Sequence, residues 1–322
     1  MGLYDFTFYD LIDRNARCFN NQPAWLEVKD GRALTFSQFK ETVDRLAAGL
    51  QQQGIEKGDR IGVVGKNSLE FFLLYGAAAA LGAIVLPINW RLSPEEVVFN
   101  LNDCEPKAVF VGQEQAQLIN EVKERLESVD QIYNLEINMD AFLGIETLLD
   151  NPGLFEPADV AADDGFVIIH TAAVAGRPRG ALLSHGNLLC SNLTIDYYLA
   201  LSPKDVHLSM LPLFHVAGLF MATAIFQAGA HNVSMYNFDA AEAVELIEAH
   251  AHLADAHVDV NVAAQPADLR LADAEVELEV EAGGYGQIQL DRHAAIAPRA
   301  GAGDLEDHRP AARALLDLDV FG

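Results

Sequence analysis

TAAVAGRPRG, Thr171 to Gly180, follows the apolar run Phe166-Val167-Ile168-Ile169 and precedes Ala181-Leu182-Leu183 and then Ser184-His185-Gly186-Asn187-Leu188. The apolar run reads as a buried parallel strand. A strand, a Gly/Pro turn and a second strand make a phosphate-holding loop: glycines let backbone N–H groups approach an anion, and Arg179 adds a charged fork. Many surface turns contain Gly, Pro and Arg, so the loop alone has two readings. Thr171 is either a hydroxyl on phosphate or a strand-end residue. Gly176 and Gly180 serve either phosphate approach or turn geometry, and Arg179 is either a phosphate contact or a solvated cation.

The stretch resembles the signature loop of the adenylate-forming (AMP-binding) superfamily, T-S-G-T-T-G-x-P-K-G. Thr171, Gly176, Pro178 and Gly180 match, Arg179 stands where the family has Lys, and Ala172, Ala173, Val174 and Ala175 replace the Ser-Gly-Thr-Thr core. Ser184-His185-x-Asn187-Leu188 is similar to T-H-x-N-L, and Leu211 to Gly218 (LPLFHVAG) to L-P-x-F-H-x-x-G. Gly58-Asp59-Arg60, Asn67, Gly82-Ala83, Pro87-Ile88-Asn89 and Arg91-Leu92 fall in the family's order. The resemblance covers about residues 5–250, and its acyl-CoA synthetase branch fits best. It implies an α/β fold, the N-terminal part of the adenylate-forming architecture: stacked parallel-type sheets covered by helices, two α/β subdomains and a small β-barrel. It implies a two-step reaction, in which ATP activates a carboxylic, fatty acid as acyl-adenylate and CoA then takes the acyl group as a thioester. Mg²⁺ bridges the phosphates; Thr171, Gly176, Arg179 and Gly180 hold them, and His215 borders the acyl or CoA channel. No protein nucleophile is needed.

Alternation of strands and helices supports this fold. Thr35-Phe36-Ser37-Gln38 is a capping box opening a helix through about Gln53, with Phe39, Val43, Leu46, Ala47 and Leu50 at helical spacing. Arg60 to Gly65 reads as a strand, Glu70 to Leu81 as a helix, Ile84 to Pro87 as a strand, and Lys107 to Val111 as another. Ser93-Pro94-Glu95-Glu96 starts a helix between them. Alternating strands and helices imply a parallel sheet covered on both faces. The uncharged run Phe71 to Ile88 is interrupted by Gly82 and Pro87, so it reads as helix, turn and strand and not as a membrane span. Pro152 to Asp164 reads as a linker between subdomains.

Composition bounds the partners. The chain has 322 residues and a net charge of −26, which argues against a nucleic-acid surface. Cys18, Cys104 and Cys190 are scattered with no CxxC pair. They suggest a reducing, cytoplasmic compartment and neither metal nor disulfide work. The N-terminus carries early acids and no long apolar core, so it does not read as a secretory signal. The expected partner is a small-molecule carboxylate; sequence is silent on the oligomer. His170, at the strand end, reads as a packing residue.

After His250 the vocabulary changes. Residues 251–322 contain no Ser, Thr, Lys, Met, Cys or Trp, and all but Asn261, Tyr285, Ile288, Ile296 and Phe321 can be written with codons beginning in G or C. They hold 14 acids against 5 arginines. A GC-rich gene read out of frame produces this output. The expectation is therefore a partial adenylation domain over 1–250 and, over 251–322, an acidic Ala-rich tail of uncertain fold, out of frame or disordered. The rival is a hairpin pairing the period-two stretch Glu275 to Glu281 with Gln287 to Leu290. If the tail is out of frame, His250, His252, Asp255, His257 and Asp259 are an accident of composition and not a metal cluster. The family's adenosine-binding motifs and C-terminal lysine are not found in the tail. The expectation is a truncated chain that forms neither adenylate nor acyl-CoA; the alternative is a non-catalytic nucleotide- or acyl-binding module.

Overall fold

The computed structural model describes residues 6–171 and 177–251 and, beyond them, three strands: Val276–Val280, Tyr285–Leu290 and Arg313–Asp317. Thr7 opens α1 (Phe8–Cys18): its hydroxyl accepts the Asp10 N–H, and the Asp10 carboxylate takes the Thr7 N–H. β1 (Pro23–Glu27) and β2 (Arg32–Thr35) run antiparallel, with Gly31 between them at φ +73°. Thr35 and Gln38 form the expected capping box of α2 (Phe36–Gln52), whose Phe39, Val43, Leu46, Ala47 and Leu50 are buried. Strands and helices then alternate as the periodicity predicts: β3 (Arg60–Val64), α3 (Leu69–Leu81), β4 (Ile84–Ile88), α4 (Pro94–Cys104) and β5 (Ala108–Val111). Every residue of α3 is buried, as a helix apolar all round requires. Gly82 ends it in the left-handed conformation, φ +65°.

α5 (Ala116–Val122), β6 (Gln131–Asn134) and the single-turn α6 (Glu146–Leu149) lead to β7 (Gly165–His170) and β8 (Gly180–Ser184). These are followed by α7 (His185–Leu199), β9 (Val206–Ser209), α8 (Val216–Ala228), β10 (His231–Ser234) and α9 (Ala240–Ala251). Six strands form one sheet in the order β6-β5-β3-β4-β7-β8, parallel except for the antiparallel β7–β8 pair. Four form a second, β2-β1-β10-β9, in which β1, β10 and β9 are parallel.

A layer of helices is shared by the two sheets. Trp25 of β1 stacks on Phe72 of α3 at 4.6 Å, and Phe166 of β7 meets Phe8 of α1 at 5.4 Å. Phe226 of α8 lies 5.0 Å from both Phe36 and Phe39 of α2. These rings are fully buried. Each stabilises by about 1.5–3 kcal/mol through burial, before pair geometry adds its part. On the far face of the six-stranded sheet, Val64, Leu86, Val109 and Val111 pack under Val97 and Leu101 of α4 and Ile119 of α5. Both faces are thus covered.

Residues 152–164 do not divide subdomains. They lead from α6 to β7, which lies in the same sheet as β6, and they are pinned along the way: Gln51 exchanges two hydrogen bonds with the Glu156 backbone, and the Ala158 N–H donates to the Ala80 carbonyl. A run with Pro and Gly looked like a linker because its partners lie about a hundred residues upstream. No barrel occurs among the described residues.

Farther on, β11 (Val276–Val280) pairs antiparallel with β12 (Tyr285–Leu290), in the register Val276 with Leu290, and β13 (Arg313–Asp317) adds to β12. His252, Asp255, His257 and Asp259 lie outside the described residues.

Candidate functional site

The parallel strands of the six-stranded sheet end on one edge, where open α/β sheets hold ligands. Thr171 is the first residue past β7 on that edge. Its N–H donates to the Arg179 carbonyl at 3.0 Å, and its hydroxyl accepts from the Arg179 N–H at 3.4 Å. His170 pairs with Gly180 just below. The neck of the loop is thereby closed, and Thr171, Arg179 and Gly180 are brought together with exposed surfaces. Gly176 and residues 172–175 lie outside the described residues. A Cβ at Gly180 would fall 2.7 Å from Ile168 Cγ2, so that glycine is required by packing as well as by any ligand. Sequence reading passed over Arg177, a second exposed cation at the neck, whose guanidinium lies 5.2 Å from the Phe99 ring. One exposed hydroxyl and two exposed arginines on one loop suit an anion with several oxygens, not a bare cation.

Ser184-His185-x-Asn187-Leu188 resolves into local physics. Ser184 caps α7, with Asn187 closing the box. Leu188 is core. His185 is fully buried, accepts the Phe8 N–H at Nδ1, 3.3 Å, and lies against Phe166. Burial pulls its pKa down to about 4, so it stays neutral.

His215 belongs to a different segment. It caps the 13-residue α8, with Nδ1 accepting the Ala217 N–H at 3.3 Å, and its side chain is exposed. The preceding residues are clamped by Asn67, whose amide donates to the Leu211 carbonyl and accepts the Leu213 N–H, each at 2.8 Å. The Tyr75 hydroxyl donates to the Leu213 carbonyl. A Cβ at Gly218 would stand 2.2 Å from the Pro212 oxygen, so only glycine lets α8 close on this turn.

The edges of the two sheets meet through a polar network that periodicity did not reveal. Lys66, past β3, bonds Glu114 past β5 at 2.8 Å and Asn237 past β10 at 2.6 Å. Lys29, past β1, bonds Glu136 past β6 at 3.2 Å and lies 3.9 Å over the Tyr236 ring. Burial, then Glu136 and Glu114, raise the Tyr236 hydroxyl. The available signal was positional: each is among the first polar residues beyond a strand's C-terminal end. In contrast, a cleft lined by Leu50, Gly54, Lys107, Asp130 and Tyr133 lies at the opposite edge, away from the loop.

Residues 12–253 match the family described as AMP-binding enzyme. The long-chain-fatty-acid–CoA ligase FadD13 of Mycobacterium tuberculosis is 32% identical over 230 residues, covering 70% of this chain and 44% of that protein. The indoleacetate–CoA ligase of Aromatoleum aromaticum is 34% identical over 221 residues, 67% of this chain and 43% of its own length. A solved structure described as a long-chain-fatty-acid CoA ligase of Rhodopseudomonas palustris superposes with a TM-score of 0.72 at 40% identity, over 77% of this chain and 62% of that one. The N-terminal domain of FACL13 from M. tuberculosis superposes with a TM-score of 0.69 at 27% identity, over 75% and 60%. The chain thus spans less than half the length of these curated relatives.

Proposed function

This chain belongs to the AMP-binding enzyme family, and from that premise we propose that it holds the phosphates of ATP for a reaction activating a carboxylic acid. The activated acid is an acyl-adenylate, and CoA then takes the acyl group as a thioester; a fatty acid is the favoured substrate class, since acyl–CoA ligases recur among the relatives. The observation that carries the reading is the closed neck of the β7–β8 loop, where the Thr171–Arg179 bonds hold a loop bearing a hydroxyl and two exposed arginines at the C-terminal edge of a parallel sheet. Thr171, Gly176, Arg179 and Gly180 form the phosphate loop, and His215, at the start of α8, borders the acyl or CoA channel. Arg177 and Arg179 would neutralise phosphate charge, which is the main task of this chemistry.

A second reading rests on the loop itself. Ala172, Ala173, Val174 and Ala175 supply neither hydroxyls nor a glycine. That supports a nucleotide- or acyl-binding module that has kept the fold and lost turnover. Pyrophosphate–ATP exchange with a panel of fatty and aryl acids separates the two. Exchange that rises with one acid class marks a competent ligase, whereas background exchange with retained ATP binding marks the module. For this chain alone we expect exchange no higher than background.

A further inference from the structure

Asp103 and Cys104 close α4, and His170 closes β7. Sixty-six residues separate the thiol from the imidazole, so no sequence spacing pairs them. The fold sets His170 Nε2 3.9 Å from Cys104 Sγ and 4.0 Å from Asp103 Oδ2. One ligand atom from each of the three lies within 4.8 Å of the others. The His170 side chain is only 8% exposed; its Nδ1 is buried without a hydrogen-bond partner, and its Nε2 edge faces the thiol and the carboxylate.

The backbone around these groups is fixed independently. Arg60 donates from Nε to the Cys104 carbonyl at 2.7 Å and from Nη2 to the Glu105 carbonyl at 2.8 Å. His170 is registered against Gly180 on β8. A Cβ on Gly180 would stand 3.5 Å from Cys104 Sγ and 3.8 Å from His170 Nε2, so glycine also keeps this corner open.

We infer that Asp103, Cys104 and His170 are the three protein ligands of a divalent-cation site of zinc type, with a fourth position open to solvent beside the half-exposed Asp103. Sulfur, imidazole and carboxylate together suit zinc and its borderline-soft neighbours and not magnesium, which takes oxygen ligands. A tetrahedral zinc with Zn–S of about 2.3 Å and Zn–N of about 2.0 Å places sulfur and nitrogen roughly 3.5 Å apart, so the 3.9 Å thiol–imidazole pair closes by a few tenths of an ångström and the Asp103 oxygen, 4.0 Å from Nε2, by somewhat more. The bound cation ties the end of α4 to the residue before Thr171. It therefore stiffens the entry to the phosphate loop, and it does so whether or not the chain is a ligase.

Cobalt(II) tests this directly, because a cobalt–thiolate bond gives a charge-transfer band that histidine or carboxylate coordination does not. The full chain is titrated with Cys18 and Cys190, both exposed, replaced by serine so that Cys104 is the sole thiol. We expect a band saturating at one equivalent, abolished by Cys104→Ser and displaced by zinc. His170→Gln weakens binding by about tenfold or more, and Asp103→Asn, a half-exposed position that leaves packing intact, by a smaller factor. Zinc raises the melting temperature of the parent and not of Cys104→Ser. A parent protein that shows no band, or a band that survives in Cys104→Ser, overturns the assignment. Equal affinity of Asp103→Asn and the parent removes Asp103 from the ligand set and overturns it as stated.

Discussion

Gly180 has Ile168 Cγ2 only 2.7 Å from where a Cβ would go. Gly180→Ala should cost about 1–3 kcal/mol of stability by overpacking, read as a lower urea midpoint. That effect is separable from ligand binding, since Arg179→Ala touches an exposed side chain and should leave the midpoint unchanged. Glu27 shows a second residue-scale effect. Its buried carboxylate accepts the Leu69 N–H at 2.9 Å, and burial, followed by the nearby Glu70 charge, pushes its pKa up from 4.5 to about 8. An acid with a raised folded pKa holds its proton while the unfolded chain loses it. Stability therefore falls as pH rises from about 4.5 to 8, by on the order of 1.4 kcal/mol per unit within that window. Glu27→Gln should remove this slope, so its advantage in melting temperature grows between pH 5.5 and 8. A constant gap would count against the buried-acid account. Neither Ile168 beneath Gly180 nor Glu70 beside Glu27 was legible in the sequence: the first depends on the register of the β7–β8 pair and the second joins residues more than forty apart.

At the scale of elements, short-range chemistry was readable. The Thr35–Gln38 and Ser93–Glu96 boxes, the stop at Gly82 and the apolar spacing of α2 all act within a few residues, and the structure contains them as expected. The motif residues from Ser184 to Leu188 were legible as a pattern, but their work was not. His185 turns out to be a buried neutral acceptor for α1, and Ser184 a helix cap. The turn before α8 depends on Asn67 in the same hidden way. Asn67→Ala removes two buried hydrogen bonds and leaves Leu211 and Leu213 backbone groups unpaired. We expect a loss of about 2–4 kcal/mol and faster proteolysis within 211–218. Gly218→Ala, with a Cβ 2.2 Å from the Pro212 oxygen, should produce the same local signature.

Over the whole molecule, two parallel-rich sheets share one helical layer, and their C-terminal edges converge on the Lys66–Glu114–Asn237 and Lys29–Glu136–Tyr236 contacts. Strand alternation predicted the first sheet. The second was hidden, since β1 and β2 sit near the N-terminus and β9 and β10 some two hundred residues later. Phe226→Ala, which empties the center of the shared layer, should cost about 3–5 kcal/mol and lower the melting of both sheets together. The proposed function requires this architecture to present a phosphate loop whose cations hold ATP. The most direct measurement is a calorimetric titration of the full chain with magnesium-ATP, repeated on Arg179→Ala. The claim predicts saturable binding at one site in the parent and about tenfold weaker binding in the variant. No binding, or binding that Arg179→Ala leaves unchanged, would contradict it.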